Sequence, residues 1–143
     1  MIPAQRYTPV DADLIPTGEI APVADSPFDF RTARPIVEPG YDHNWVLATE
    51  PVDRPRRVAR LEGDRSGIAL EVWSTEPGLQ FYAGGVLDTP VSGQGGRAYG
   101  RNEGLCLEPQ RFPDSPNHPG FTEACLKPGE TYRHVIEYRV SGG

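Results

Sequence analysis

The chain has 143 residues and a mass of 15.7 kDa, the size of one domain or a piece of one. Gly 16 and Pro 16 together exceed a fifth of the chain, a loop-rich composition, but 37% hydrophobic residues with six Tyr, five Phe and two Trp supply a core and exclude general disorder. The net charge of −6 and pI near 5.0 argue against nucleic acid or an anionic membrane as partner, since neither is held without a basic patch.

Residues 1–40 carry prolines at 3, 9, 16, 22, 27, 35 and 39 and show neither helical nor alternating periodicity. They read as an extended lead-in lying along something else, with short strand pieces near Leu14–Ile15 and Phe28–Phe30. The opening "MIPAQRYTPV" has no basic segment followed by an apolar core, so no secretory leader is expected. No run approaches the ~18 apolar residues of a membrane span. Cys106 and Cys125 lack the paired spacing of a zinc site. They read as two free thiols of a cytoplasmic protein, with a disulfide as the alternative.

From Tyr41 the period changes to two, and residues 41–140 form a strand-rich body of the same single domain. "YDHNWVLA" (41–48) is the first predicted strand. "RRVARLEG" (56–63) and "IALEVWSTE" (68–76), joined by the turn residues "DRSG", read as a β-hairpin with Leu70 and Val72 on one face. A Pro77-Gly78 turn leads to "LQFYAGGVL" (79–87), and a flexible glycine-rich loop covers 88–103. "GLCLEPQ" (104–110) is the next strand. It runs into a proline-studded loop that can form neither helix interior nor central strand, because proline lacks a ladder donor. Lys127-Pro128-Gly129-Glu130 has the order of a type II turn, and "TYRHVIEYRV" (131–140) closes the chain with Tyr132, Ile136, Tyr138 and Val140 on one face. Six short strands without a helical period predict an all-β antiparallel sandwich or barrel.

Three polar residues stand out as candidates. Alternation sends Leu105 and Leu107 to one face and Cys106, Glu108 and Gln110 to the other. Glu108 is either a solvated-face carboxylate or part of a pocket wall, where partial screening from water would make it a proton acceptor near neutrality. Asp42 and His43 are adjacent, so they point to opposite faces and do not share a ligand. His43 keeps company with Tyr41 and Trp45 as a core or wall residue, and Asp42 is the better polar candidate, a backbone-bonded turn carboxylate being its alternative. Gln80 shares a face with Tyr82. Its amide suits a hydroxylated ligand, the alternative being a buried Gln that satisfies backbone groups. There is no Gly-x-Ser-x-Gly elbow and no phosphate loop, and His43, His118 and His134 lack metal-ligand spacing.

Five blocks extend the reading. "YTPVDADLIPTGEIAPVADSPFDFR", "GYDHNWVL", "SGIALEVWSTEPGLQFYAGGVLD", "GLCLEPQRFPDSPNHPGF" and "LKPGETYRHVIEYR" resemble, in order, successive blocks of the aldose 1-epimerase (galactose mutarotase) family, from about Tyr7 to Val140. The resemblance implies a large antiparallel β-sandwich, the galactose mutarotase-like supersandwich. It also implies cofactor-free interconversion of the α and β anomers of a free hexose such as galactose or glucose. It assigns Glu108 as the general base on the C1 hydroxyl, with the proline loop fixing its direction, and Asp42 and Gln80 as holders of sugar hydroxyls. The blocks that carry the family's acid histidine are absent, and none of the three histidines matches that position. The expectation is therefore a C-terminal portion with the base and part of the sugar site. It would self-associate or pair with a separate N-terminal half, because a cut sheet exposes edges and an apolar face. A non-catalytic sugar-binding sandwich is the alternative.

Overall fold

A computed structural model describes residues 1–37, 40–88 and 92–142. Among these, eight strands form two antiparallel sheets. β1 (Arg6–Thr8), β2 (Ala21–Pro22), β3 (Asp42–Val46), β6 (Gly78–Tyr82) and β7 (Cys106–Gln110) make a five-stranded sheet in the order β2-β1-β3-β6-β7. β4 (Arg56–Glu62), β5 (Ala69–Ser74) and β8 (Ile136–Ser141) make the second, in the order β4-β5-β8. Single 3₁₀ turns at Gln94–Gly96 and Ser115–Asn117 are the only helical pieces among the described residues.

The sheets share one core. Trp45, Leu79 and Phe81 from the larger sheet meet Val58, Ala59 and Val72 from the smaller, all nearly or fully buried. Tyr41, stacked on Phe81 with ring centroids 5.5 Å apart, and Phe30, 5.9 Å from Trp45, fill the layer between them. Each buried aromatic contributes on the order of 2–3 kcal/mol. This mutual burial, rather than strand propensity, holds strands of five to seven residues in place.

The expected β4–β5 hairpin forms, with one irregularity. The pairing shifts register between Arg57 and Ala59, so Val58 and Ala59 both reach the core. That bulge lets β4 contribute two consecutive buried residues where strict alternation would bury one. The expected type II turn is present: Glu130 N–H donates to the Lys127 carbonyl at 3.0 Å, and Gly129 takes the positive φ of 88° that this turn demands.

Several boundaries differ from the sequence expectation. Leu14–Ile15 is a tight turn, not a strand. The Asp11 carboxylate accepts from the backbone of Asp13 and Ile15, Leu14 has a φ of 64°, and Val10 bridges Pro16 across the turn. Phe28–Phe30 is likewise irregular, because Ser26 turns the chain by bonding the Val23 carbonyl at 2.6 Å. The strands of the lead-in are instead β1, paired to β3, and the two-residue β2. Gly78 belongs to β6, and the bend at Thr75–Pro77 carries the chain from one sheet to the other. β6 ends at Tyr82, and β8 begins at Ile136, five residues after the expected start. Residues 89–91 of the expected glycine-rich loop lie outside the described residues.

Candidate functional site

In an antiparallel ladder, residues directly opposite each other share a face. β3, β6 and β7 are neighbours, with Asn44 opposite Gln80 and Gln80 opposite Glu108; one step along, Asp42 lies opposite Tyr82 and Tyr82 opposite Cys106. A third row, Val46, Gly78 and Gln110, completes the face. The other face of the same strands carries His43, Trp45, Leu79, Phe81 and Leu107 toward the core. Alternation in three separate strands thus converges on one polar face.

Asp42, Gln80 and Glu108 all stand on that face. Gln80 Nε2 donates to Asp42 Oδ1 at 2.7 Å. Gln80 and Glu108, as directly opposed residues, have Cβ atoms about 5 Å apart. The three strands span about 10 Å at the usual strand spacing. The Cys106 thiol reports the same convergence: burial pushes it up, Glu108 adds to the rise, and Asp42 contributes as well. Two buried acceptors on this face, Asn44 Oδ1 and Gln80 Oε1, receive no hydrogen bond from the described residues. Asn44 is a site residue that sequence reasoning missed, although its position two residues after Asp42 on one strand placed it there by alternation.

One end of the face is closed. The proline loop after β7 folds back and seats Phe112 and Phe121 on Val46, with Ile20 packed alongside. Ser115 pins the loop by donating to the Phe112 carbonyl at 2.6 Å. His118 fastens it to the lead-in turn, its Nε2 lying 3.1 Å from Asp114 Oδ2 and 3.2 Å from the Pro16 carbonyl. The opposite end, with Asp42, Tyr82, Cys106 and Glu108, is open, and Glu108 is exposed. The expected partial screening of Glu108 is not supplied by these residues, because β7 is the edge strand of its sheet. Cavities of about 970, 650 and 460 Å³ are lined by other residues. The polar site is an open face.

None of the three histidines projects from this face. His43 lies on the core side, 4.5 Å from the Phe28 ring, and burial pushes its pKa below the ordinary histidine value. His134 Nε2 lies 3.1 Å from Ser74 Oγ on the smaller sheet, and His118 belongs to the proline loop. The arrangement therefore offers a carboxylate to take a proton, a carboxylate–amide pair to hold hydroxyls, and no imidazole to return a proton. Among the described residues no cluster of three His, Cys, Asp or Glu side chains is placed to hold a metal, and no helix is long and apolar enough to cross a membrane. Cys106 and Cys125 are free and exposed.

Comparison with known proteins agrees with the motif reading. The chain is 42% identical over 147 residues to the galactose mutarotase of Mus musculus and 36% identical over 149 residues to the aldose 1-epimerase of Escherichia coli. Each alignment covers 42% of the relative, and 98% or 95% of this chain respectively, so the chain spans well under half the length of these relatives. The solved structure of an aldose epimerase homologue from C. elegans superposes with a TM-score of 0.84 at 29% identity, over 99% of this chain and 44% of that one. The family model described as aldose 1-epimerase matches residues 1–139, and the chain belongs to that family.

Proposed function

We propose that this chain carries the base and part of the sugar-holding surface of an aldose 1-epimerase acting on free hexoses such as galactose or glucose. The observation that supports this best is the placement of Asp42, Gln80 and Glu108 on one face of three adjacent strands. The Gln80 amide donates to Asp42 Oδ1 at 2.7 Å and holds that carboxylate in place on the face. The Asp42 carboxylate accepts from a sugar hydroxyl. Glu108 then takes the proton of the C1 hydroxyl while the C1–O5 bond breaks, giving the open aldehyde. Rotation about C1–C2 and reclosure from the other face give the second anomer. The ring oxygen must gain a proton as it leaves, and general acid catalysis of that step is worth about 10²–10⁴-fold. No histidine on the polar face supplies it, so these residues hold half of the acid–base pair.

The experiment has two parts. Titration of the chain with D-galactose, followed by NMR, is expected to shift amides of β3, β6 and β7, and Asp42→Ala and Gln80→Ala are each expected to weaken binding about tenfold. Absence of binding would refute the sugar site. Polarimetry of fresh α-D-galactose is expected to show little acceleration by the chain alone. Acceleration that disappears in Glu108→Gln would keep the activity and overturn the incompleteness. The second reading, a sugar-binding sandwich without chemistry, rests on the exposure of Glu108 and the missing acid. It gains ground if binding persists and no completing polypeptide restores turnover.

A further inference from the structure

Two buried polar residues share a row with the site. Thr8 on β1 lies opposite Asn44, Asn44 lies opposite Gln80, and Gln80 lies opposite Glu108. Thr8 and Asn44 are each 1% exposed, so neither meets a sugar directly. Buried polar side chains are ordinarily fully bonded. In this row the bonds fall short. Asn44 Nδ2 donates to Thr8 Oγ1 over a long 3.4 Å, and Gln80 Nε2 donates to Asp42 Oδ1 at 2.7 Å. The two amide oxygens, Asn44 Oδ1 and Gln80 Oε1, are buried and receive no hydrogen bond from the described residues. Asn44 Oδ1 also crowds the point beside the Gly78 Cα where a Cβ would stand, and the Gln110 carbonyl oxygen lies 2.9 Å from that same point. Two acceptors thus converge there, and neither has a proton to offer.

Resting on the function proposed above, we propose that Asn44 is a positioning residue for Gln80 and Asp42, acting in the amide orientation reached by a half turn about its Cβ–Cγ bond. Amide oxygen and nitrogen are nearly alike in size, so the turn displaces no neighbour. It exchanges one weak bond for two. The Thr8 hydroxyl then donates to Asn44 Oδ1. Asn44 Nδ2, now on the Gly78 side, donates to Gln80 Oε1, whose residue stands directly opposite with its Cβ about 5 Å away. The same nitrogen brings a proton to the point where the Gln110 carbonyl had met only another oxygen. Every bond in the row now runs one way, from Thr8 to Asn44, from Asn44 to Gln80, and from Gln80 to the Asp42 carboxylate. Each bond in such a chain polarises the next, and this chain ends on an anion. Its direction matters for the site. Gln80 has two ends to its amide, and only the nitrogen attracts a carboxylate. With its oxygen held by Asn44, Gln80 keeps that nitrogen on Asp42, and Asp42 keeps its second oxygen for the sugar. Asn44 therefore sets the sugar-holding pair without touching the ligand, and Thr8 gives the three-residue β1 a part in the site.

The amide orientation is read first, by NMR on the wild-type chain without sugar. In the turned orientation the Asn44 Nδ2 protons give their strongest NOEs to the Gly78 Hα protons and the Gln80 side chain. Strongest NOEs to the Thr8 Hβ and methyl protons overturn the proposal. Thr8→Val then removes the first donor of the row while keeping the shape of the buried side chain. It is expected to weaken D-galactose binding about threefold and to speed solvent exchange of the Gln80 side-chain amide protons by a similar factor. Thr8→Ser, which returns the hydroxyl, should restore both. A Thr8→Val chain with a lowered Tm but wild-type galactose affinity and wild-type Gln80 exchange would make the row a packing feature and overturn the positioning role. The exchange measurement needs no ligand, so the two readings fail separately. The turned orientation and faster Gln80 exchange, in a chain that binds no galactose, keep the hydrogen-bonded row and refute the sugar site.

Discussion

Gly78 is the position at which one methyl group tests how tightly the polar face is packed. It lies opposite both Val46 and Gln110, in the closed row of the face. A Cβ built there stands 2.9 Å from the Gln110 carbonyl oxygen and 2.9 Å from Phe112 Cδ1, and nearer still to Asn44 Oδ1. Ordinary carbon contacts need about 3.5–4.0 Å. Phe112 can swing within its small cluster, but Gln110 is ladder backbone and Asn44 is 1% exposed, tied to Thr8 Oγ1 at 3.4 Å. Overpacking of this kind costs about 1–3 kcal/mol, and the rigid neighbours place Gly78→Ala in the upper half of that range. Reduced freedom of the unfolded chain offsets about 0.4–1 kcal/mol. The net loss is about 2 kcal/mol, a fall in Tm of roughly 6–10 °C for a chain of this length. Thermal unfolding by circular dichroism reads it directly. Gly85→Ala is the internal control, because nothing lies within 4 Å of the added methyl and Tm should move by less than about 2 °C. An unchanged Tm in Gly78→Ala would refute the claimed close packing of β3, β6 and β7.

Two other groups make predictions of the same kind. Glu76 is fully buried where the chain crosses between sheets; it accepts from Tyr132 Oη at 2.9 Å and lies 3.4 Å from Arg111 Nε, an ion pair without hydrogen-bond geometry. Glu76→Ala strands both partners and should cost about 3 kcal/mol in urea unfolding, whereas Tyr132→Phe should cost about 1 kcal/mol; equal losses would show that the tyrosine alone matters. His43 is held below its ordinary pKa by burial, with Asp42 pulling less strongly the other way. The unfolded chain therefore takes up the proton first, near pH 6.5. Stability is full above that pH and falls as the pH drops through the lower folded value. His43→Phe should flatten the stability profile just below about pH 6.5, and a wild-type profile already flat there would contradict the burial argument.

The parts of this structure legible in the sequence were those set by local alternation. Asp42 against His43, Gln80 against Leu79 and Glu108 against Leu107 separate by the period of a strand, whatever the sheet order. Pairing between strands is not local, so nothing in the chain indicated that β6 lies between β3 and β7, or that β5 and β6 belong to different sheets. β1 and β2 escaped notice because they are three and two residues long among prolines and borrow their order from β3. Leu14 and Ile15 looked like strand residues but are 55% and 52% exposed, because Asp11 offers the backbone a turn that competes with any ladder. The apolar row of β8 was legible, while its exposure was not. Ile136, Tyr138 and Val140 lie opposite Ser74, Val72 and Leu70, on the core side of their sheet, yet they are 38%, 61% and 72% exposed because, among the described residues, no strand of the larger sheet covers them.

The core also decides why His43 does not stand on the polar face. A slip of β3 by one residue would turn His43 onto the polar face, beside Gln80. The same slip would turn Trp45 out of the core, since strand period couples every side chain to the register. Trp45 is 0% exposed and its Nε1 donates to the Phe28 carbonyl at 2.9 Å, so its loss from the core costs about 3–5 kcal/mol. Asp42 would turn inward in exchange, placing a carboxylate against Phe81 and Phe28 with no cation to pair it, a further cost of several kcal/mol. Together these approach the whole stability of a domain this size. The packing that brings Asp42, Gln80 and Glu108 to one face therefore locks His43 away from it.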